Sequence, residues 1–324
     1  FRLGTELQIS GSFIYNGLYT LNNMESFYYE EECFELLYNL SVGLERLMKV
    51  AIVLIEHNSN TSQVDFEKTL ITHNHFDLLN RIKKNRKIIV GKSHKKLISM
   101  LSIFYKSIRY ERYNIESVYK SSQDRENLVK LIKEELKVEI SVKFGEADKI
   151  TQQIRNFIGK LVGKLATQVY EIIWEEAHRI GTFTYEIAYG SKAFKIFVAK
   201  EYDFTRERLM QKEIMLYLLK TNRSKEFYYY LDQIEPLNFE QYHTNKYIES
   251  IFNIHKDRQV RDEFEFLCEE DKPSKSRNEI LEYLGTDIDL EYIPSENDLD
   301  NYDDDWNQTT IELILTSPNS PSIL

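Results

Sequence analysis

The hexapeptide Arg109-Tyr110-Glu111-Arg112-Tyr113-Asn114 packs two arginines and two tyrosines into six residues. A guanidinium offers a rigid fork of N–H donors that suits phosphate oxygens. A tyrosine near pKa 10 is a poor base at neutral pH, and an asparagine does not titrate. The knot therefore binds and orients better than it moves protons. Just upstream, Arg81–Lys96 holds eight basic residues and no acid: Arg81, Lys83, Lys84, Arg86, Lys87, Lys92, Lys95 and Lys96. Such a patch can be a solvated helix end, or it can contact phosphates, to which Lys and Arg give affinity without sequence readout. The two readings weigh about evenly.

The element that positions the knot is the stretch Ser93–Asn114. Its apolar residues Leu97, Leu101, Phe104 and Ile108 are spaced four, three and four, which predicts one buried helical face ending at Arg109. A second long helix is expected over Glu30–Glu56. There Leu37, Leu44 and Ala51 repeat every seven residues, with Leu40, Leu47 and Leu54 offset by three. Glu45, Arg46 and Lys49 sit beside this seam and read as solvated flank charges. Thr72 or Asn74 can cap a helix whose apolar positions are Phe76, Leu79 and Ile82. His73 and His75 stand two apart with no Cys or acid at ligand spacing, which is weak support for a metal. First-turn packing or capping explains them better.

Farther on, Leu128, Leu131, Ile132 and Leu136 share a helical side, and Val138–Phe144 reads as a short extended stretch. The longest helical pattern, Ala147–Gly181, carries Ile150, Ile154, Phe157, Leu161, Leu165, Val169 and Ile172. Gly159 and Gly163 within it suit close helix packing. Thr182–Ala199 alternates and could turn at Gly190-Ser191 as a hairpin, with a helix through Lys192–Lys200 as the competing reading. Further helices are expected over Thr205–Lys220, Lys225–Ile234, Asn245–Phe252 and Arg258–Glu270. Residues 1–27 show no helical period and read as a hairpin or loose arm.

Composition narrows the class. Gly (11) and Pro (5) are scarce in 324 residues, which favours long helices over a turn-rich sandwich. No run of eighteen apolar residues suggests a membrane span, and the N-terminus has no basic-then-apolar leader pattern. Two distant cysteines, Cys33 and Cys268, suit a reduced cytoplasmic chain. The net charge is −10, yet twelve acids and no Lys or Arg follow Arg277, so residues 1–277 carry about +2. A weakly basic body with an acidic tail suits an anionic partner. No Walker loop, GxGxxG, HExxH or GxSxG occurs, and nothing calls for a metal or a cofactor.

Residues about 30–120 resemble the HEPN superfamily (higher eukaryote and prokaryote nucleotide-binding). Three pieces carry the resemblance: LSVGLERLMKVAIVLI, the helix start THNHFDLLNRI, and FYKSIRYERYN. The resemblance implies a short all-α bundle, usually dimeric, and often a metal-independent ribonuclease of prokaryotic defence, toxin–antitoxin or stress systems. The family signature is an Arg followed four to six residues later by His. Here Arg109 meets Asn114 at that spacing, and Arg112 meets no His either. By the resemblance, Arg109 binds the phosphate with Arg112 second, while Tyr110, Tyr113 and Asn114 orient the substrate. Glu45, His75 and His94 are accessory candidates, although His94 lies fifteen residues before Arg109, roughly 22 Å along a helix.

The expected fold is mostly α: an N-terminal arm (1–27), an HEPN-like bundle (28–145), a long helix and helical region with minor β structure (146–270), and an acidic tail (271–324). The expected function is an HEPN-like ribonuclease or RNA-binding protein acting as a homodimer. The alternative is a non-catalytic subunit that dimerises or docks a partner protein or nucleic acid.

Overall fold

A computed structural model describes residues 2–58, 60–111, 123–182, 187–220, 234–253, 257–275, 277 and 281. The fold is mostly α. Among the described residues β pairing is limited to one isolated antiparallel bridge, Ser26 to Lys149. Contacts divide the chain into Phe1–Glu213 and Ile214–Leu324.

The first unit is built around α2 (Glu30–Glu56). Leu36, Leu37, Leu40, Leu44, Leu47, Met48, Ala51 and Ile52 are each fully or almost fully buried, and they point to several sides of the helix. A helix apolar all round must be enclosed by others. It is flanked by α1 (Leu3–Asn23), α4 (His75–Asn85), α5 (Lys92–Ile103), α6 (Gln123–Leu136) and α7 (Gln152–Arg179). A short α3 (Gln63–Leu70), capped by Ser62, precedes α4. Each buried leucine contributes about 1.5–3 kcal/mol, so α2 holds much of the unit together.

Residues 1–27 are not an arm. Leu3–Asn23 forms α1, which buries Leu7, Ile14, Leu18 and Leu21 against α2. Ser10 and the small residues among these positions lower helix propensity, yet they let the two backbones meet. A Cβ on Gly43 would lie 2.7 Å from Ile14 Cγ1 and 2.9 Å from the Ile14 nitrogen. Packing therefore overrides propensity.

In α4 Asn74 is the cap, its side chain accepting from the Phe76 amide. The buried face is His75, Leu78, Leu79 and Ile82, while Phe76 points outward, opposite to expectation. In α5 the stripe Leu97, Leu101, Phe104 and Ile108 is buried as expected. The helix then widens into a π-turn over Phe104–Ile108 and closes with a short α turn at Arg109–Glu111. Arg112, Tyr113 and Asn114 lie outside the described residues.

The long pattern forms α7, capped by Thr151, with Ile154, Leu161, Leu165, Val169 and Ile172 buried and Phe157 partly so. Because α7 packs on α2, the first unit runs on past residue 145, where the sequence pattern places a boundary. The Gly190-Ser191 pair does not turn a hairpin into Lys192–Ala199. Ser191 caps α8 (Lys192–Phe197), the competing helical reading, which packs on α1; Phe183–Glu186 lie outside the described residues. Residues 138–142 form no strand. The next helix is α9 (Thr205–Lys220).

The second unit contains α10 (Thr244–Asn253) and α11 (Arg258–Asp271), joined by Tyr247 Oη donating to Glu263 (2.7 Å) and Ser250 Oγ donating to Asp257 (2.6 Å). The helix expected over Lys225–Ile234 and nearly all of the acidic tail fall outside the described residues. Cys33 is buried, and neither cysteine is in a disulfide. Among the described residues no helix is long and apolar enough to cross a membrane.

The contact at Gly43 makes a sharp prediction. Gly43→Ala gains about 1 kcal/mol of helix propensity, but it forces Ile14 and its backbone outward at about 1–3 kcal/mol. The variant should melt at a lower temperature than the parent in a thermal scan; an equal or higher melting temperature would show that α1 does not sit this close.

Candidate functional site

Four elements of the first unit place polar groups around one tyrosine ring. From α2 comes Glu45, only 6 % exposed although Arg46 and Lys49 stand beside it in sequence. A buried carboxylate is costly unless it is paired. Lys49, one turn along the same helix, donates to Oε1 at 2.7 Å. His73 Nδ1 lies 3.0 Å from Oε2. With the carboxylate accepting, the Nδ1 proton is fixed and Nε2 is the free lone pair. The His73 side chain is 51 % exposed, so that lone pair can face solvent and ligand.

His73 is held just ahead of α4 by local chemistry. Asn74 caps the helix, and Ser102 Oγ of α5 donates to Asn74 Oδ1 at 2.9 Å, tying this corner to the neighbouring helix. Two residues on, His75 is fully buried and its Nε2 donates to the Ser41 carbonyl at 2.8 Å. His75 Nδ1 is buried without a hydrogen bond. The two histidines thus serve different partners and do not converge.

Tyr105 is the hub. Its side chain turns inward with Phe104 and Ile108 at the π-turn, a feature that often marks functional sites. The His73 ring meets it edge-on at 5.1 Å, His75 at 6.0 Å, and Tyr38 lies 6.1 Å away. Four residues along, the Arg109 guanidinium lies over the Tyr105 ring at 3.7 Å and over Tyr110 at 4.5 Å. Cation–π contacts of this kind hold an arginine without neutralising it. Among the described residues no carboxylate is ion-paired with Arg109, and its Nε is buried without a hydrogen bond. Tyr110 and His73 leave this corner open to solvent.

Burial pushes the Tyr105 phenol above its ordinary range, with Arg109 pulling the other way, so the phenol stays protonated at neutral pH. Burial pulls the His75 imidazole below its ordinary value, partly offset by the Ser41 hydrogen bond and by Glu45. His75 is thus a neutral packing group.

Of the residues singled out from the sequence, Arg109, Tyr110, Glu45 and His75 come together around Tyr105. Arg112, Tyr113 and Asn114 lie outside the described residues. His94 stands near the start of α5, about 22 Å of helix from Arg109, its pKa lowered first by burial and then by Lys164. The basic patch divides. Arg81 is clamped by Glu56, with Nη2 2.6 Å from Oε2, and also bonds Thr69. Arg86 pairs with buried Glu176, and Lys96 reaches Glu134 and Glu135, both at 2.8 Å. Lys83, Lys84, Lys87, Lys92 and Lys95 make no ion pair among the described residues, and all but Lys83 are exposed. Sequence reasoning passed over His73 as a site residue and did not mark Tyr105; the i,i+4 pair Tyr105–Arg109 was the available signal.

Comparison with protein-family models, curated proteins and solved structures finds nothing that matches this chain.

The neutral buried His75 has a consequence for stability. Its folded pKa lies below the unfolded value near 6.5. As pH falls through about 6.5 the unfolded chain takes up a proton that the folded chain refuses, so stability is lost toward acid. His75→Gln should flatten the fall in melting temperature between pH 7.5 and 5.5. Parallel pH profiles for parent and variant would contradict this.

Proposed function

We propose that the Tyr105 corner is an RNA-phosphate site and that the protein is an HEPN-like, metal-independent ribonuclease of a prokaryotic defence or stress system. The observation that supports this best is the shared ring. Arg109, free of a carboxylate partner among the described residues, and His73, oriented by Glu45, both contact Tyr105. The HEPN resemblance expects an arginine for the phosphate and a histidine for protons. The histidine absent from the Arg109 segment has a stand-in on the loop before α4.

The chemistry that fits is transesterification. The 2′-oxygen attacks the adjacent phosphorus while the bond to the 5′-oxygen breaks, giving a 2′,3′-cyclic phosphate and a 5′-hydroxyl. The 2′-hydroxyl proton passes to Nε2 of His73. The 5′-oxygen takes a proton from the resulting imidazolium or from water. Glu45 stabilises the imidazolium through Nδ1, Lys49 holds Glu45, and Arg109 offsets the negative charge that builds on the phosphorane. Tyr105 positions Arg109 and touches no reacting atom. A homodimer, as the resemblance implies, brings two such corners into one assembly and adds RNA-binding surface from Lys83, Lys84, Lys87, Lys92 and Lys95, which make no ion pair among the described residues.

The test is RNA incubated with the purified chain in EDTA. The parent should cleave and leave 2′,3′-cyclic ends. Arg109→Ala should lose about 10²–10³-fold in rate and His73→Ala about 10²–10⁴-fold, with RNA affinity falling mainly in the arginine variant. Cleavage untouched by both substitutions would remove the site. RNA binding with no cleavage by the parent would favour a binding subunit instead.

A further inference from the structure

On the far side of α7 from its buried stripe, Asn156, Lys160 and Lys164 follow one another at four-residue spacing and so share a face. Opposite them lies the segment Lys200–Arg206, and the two enclose a cleft of about 450 Å³. That volume is within the range of small-ligand sites.

The cleft is held open by an unusual contact. Gly159 and Gly163 leave a bare strip on α7, and Tyr202 lies in it. A Cβ on Gly159 would fall 2.4 Å from the Tyr202 carbonyl oxygen, and one on Gly163 would fall within the Tyr202 ring contacts. The Tyr202 hydroxyl is fixed to Thr167 Oγ1 at 2.7 Å. With Tyr202 pinned, Lys200 and Arg206 are set on either side of it, facing the lysine row. Lys200 reaches this place with a left-handed backbone, φ +56°, a conformation that costs a non-glycine residue and is concentrated at functional sites.

Charge in the cleft is unbalanced. Lys160 and Lys164 are exposed and make no ion pair among the described residues. Lys200 pairs with exposed Glu171 at 2.8 Å, a contact of the kind that contributes little and exchanges readily, and the largely exposed Arg206 pairs with half-buried Glu201 at 3.0 Å. Of the two acids on the lining, Glu201 is the Arg206 partner and Asp203 accepts from the Thr205 amide at 2.9 Å. Two like charges one helical turn apart repel each other. An anion seated between them and Lys200 relieves that repulsion.

We propose that this cleft binds a small ligand bearing adjacent phosphates, a di- or triphosphate group, with Lys160 and Lys164 on one side and Lys200 and Arg206 on the other. The site uses none of the residues around Tyr105, so it stands or falls separately from the RNA reading.

Calorimetric titration of the full chain with inorganic tripolyphosphate and with ATP tests it. Both should bind, more weakly as salt is raised, and a Lys160→Ala/Lys164→Ala double variant should bind at least tenfold more weakly while melting like the parent. Equal affinity for the two ligands assigns recognition to the phosphates alone; tighter ATP binding adds a nucleoside contact. Lys83→Ala/Lys84→Ala serves as the control. No binding at millimolar ligand, unchanged affinity in the Lys160/Lys164 variant, or an equal loss in the control would overturn the proposal. So would tripolyphosphate failing to bind where a short RNA does.

Discussion

Glu45 lies inside the best-buried helix of the protein, between Leu44 and Leu47, where an unpaired carboxylate would cost several kcal/mol. Lys49 and His73 meet that demand, and meeting it dictates local structure. His73 must stay at the α2 surface, which sets where α4 begins, and the Asn74 cap with its Ser102 bond ties the same corner to α5. His75, two residues on and fully buried, closes the corner on the Ser41 carbonyl. A charge that looks like a defect in an apolar core thereby organises three helices around the ring of Tyr105.

Much of the scaffold was readable from spacing. The apolar stripes of α2, α5 and α7 lie where a three/four period puts them, because each of those helices buries a face made mostly of Leu, Ile and Val. α1 was not readable, since Gly11, Gly17 and Ser10 look like helix breakers until α2 and α8 come close enough to need small residues there. Phe76 turns outward because the buried face of α4 runs through His75, Leu78, Leu79 and Ile82, which keeps His75 in a first-turn packing role. The alternation after Thr182 suggests strands, but a Ser191 cap and the burial of Ile196 and Phe197 make Lys192–Phe197 helical.

The site was legible in part and for a definable reason. Arg109 stands out by type in a polar knot, whereas Glu45 reads with Arg46 and Lys49 as a solvated flank charge and the structure buries it instead. His73 did not stand out, because its partner is twenty-eight residues away in sequence and no local spacing encodes that approach. Tyr105 was hidden because Leu97, Leu101, Phe104 and Ile108 already account for the apolar stripe, although Tyr105 stands four residues after Leu101 at the edge of the same face. The basic patch also changes meaning once partners are seen. Arg81, Arg86 and Lys96 fasten α4 and α5 to α2, α7 and α6 through carboxylates, and only the remaining lysines are left for an anion.

The central claim is that Arg109 and His73 face one RNA phosphate. It is tested most directly by following the His73 imidazole and Arg109 guanidinium signals by NMR as an uncleavable 2′-deoxy-substituted oligonucleotide is added. Both should move together and saturate at the same oligonucleotide concentration. An oligonucleotide that binds while both signals stay where they were would contradict the account.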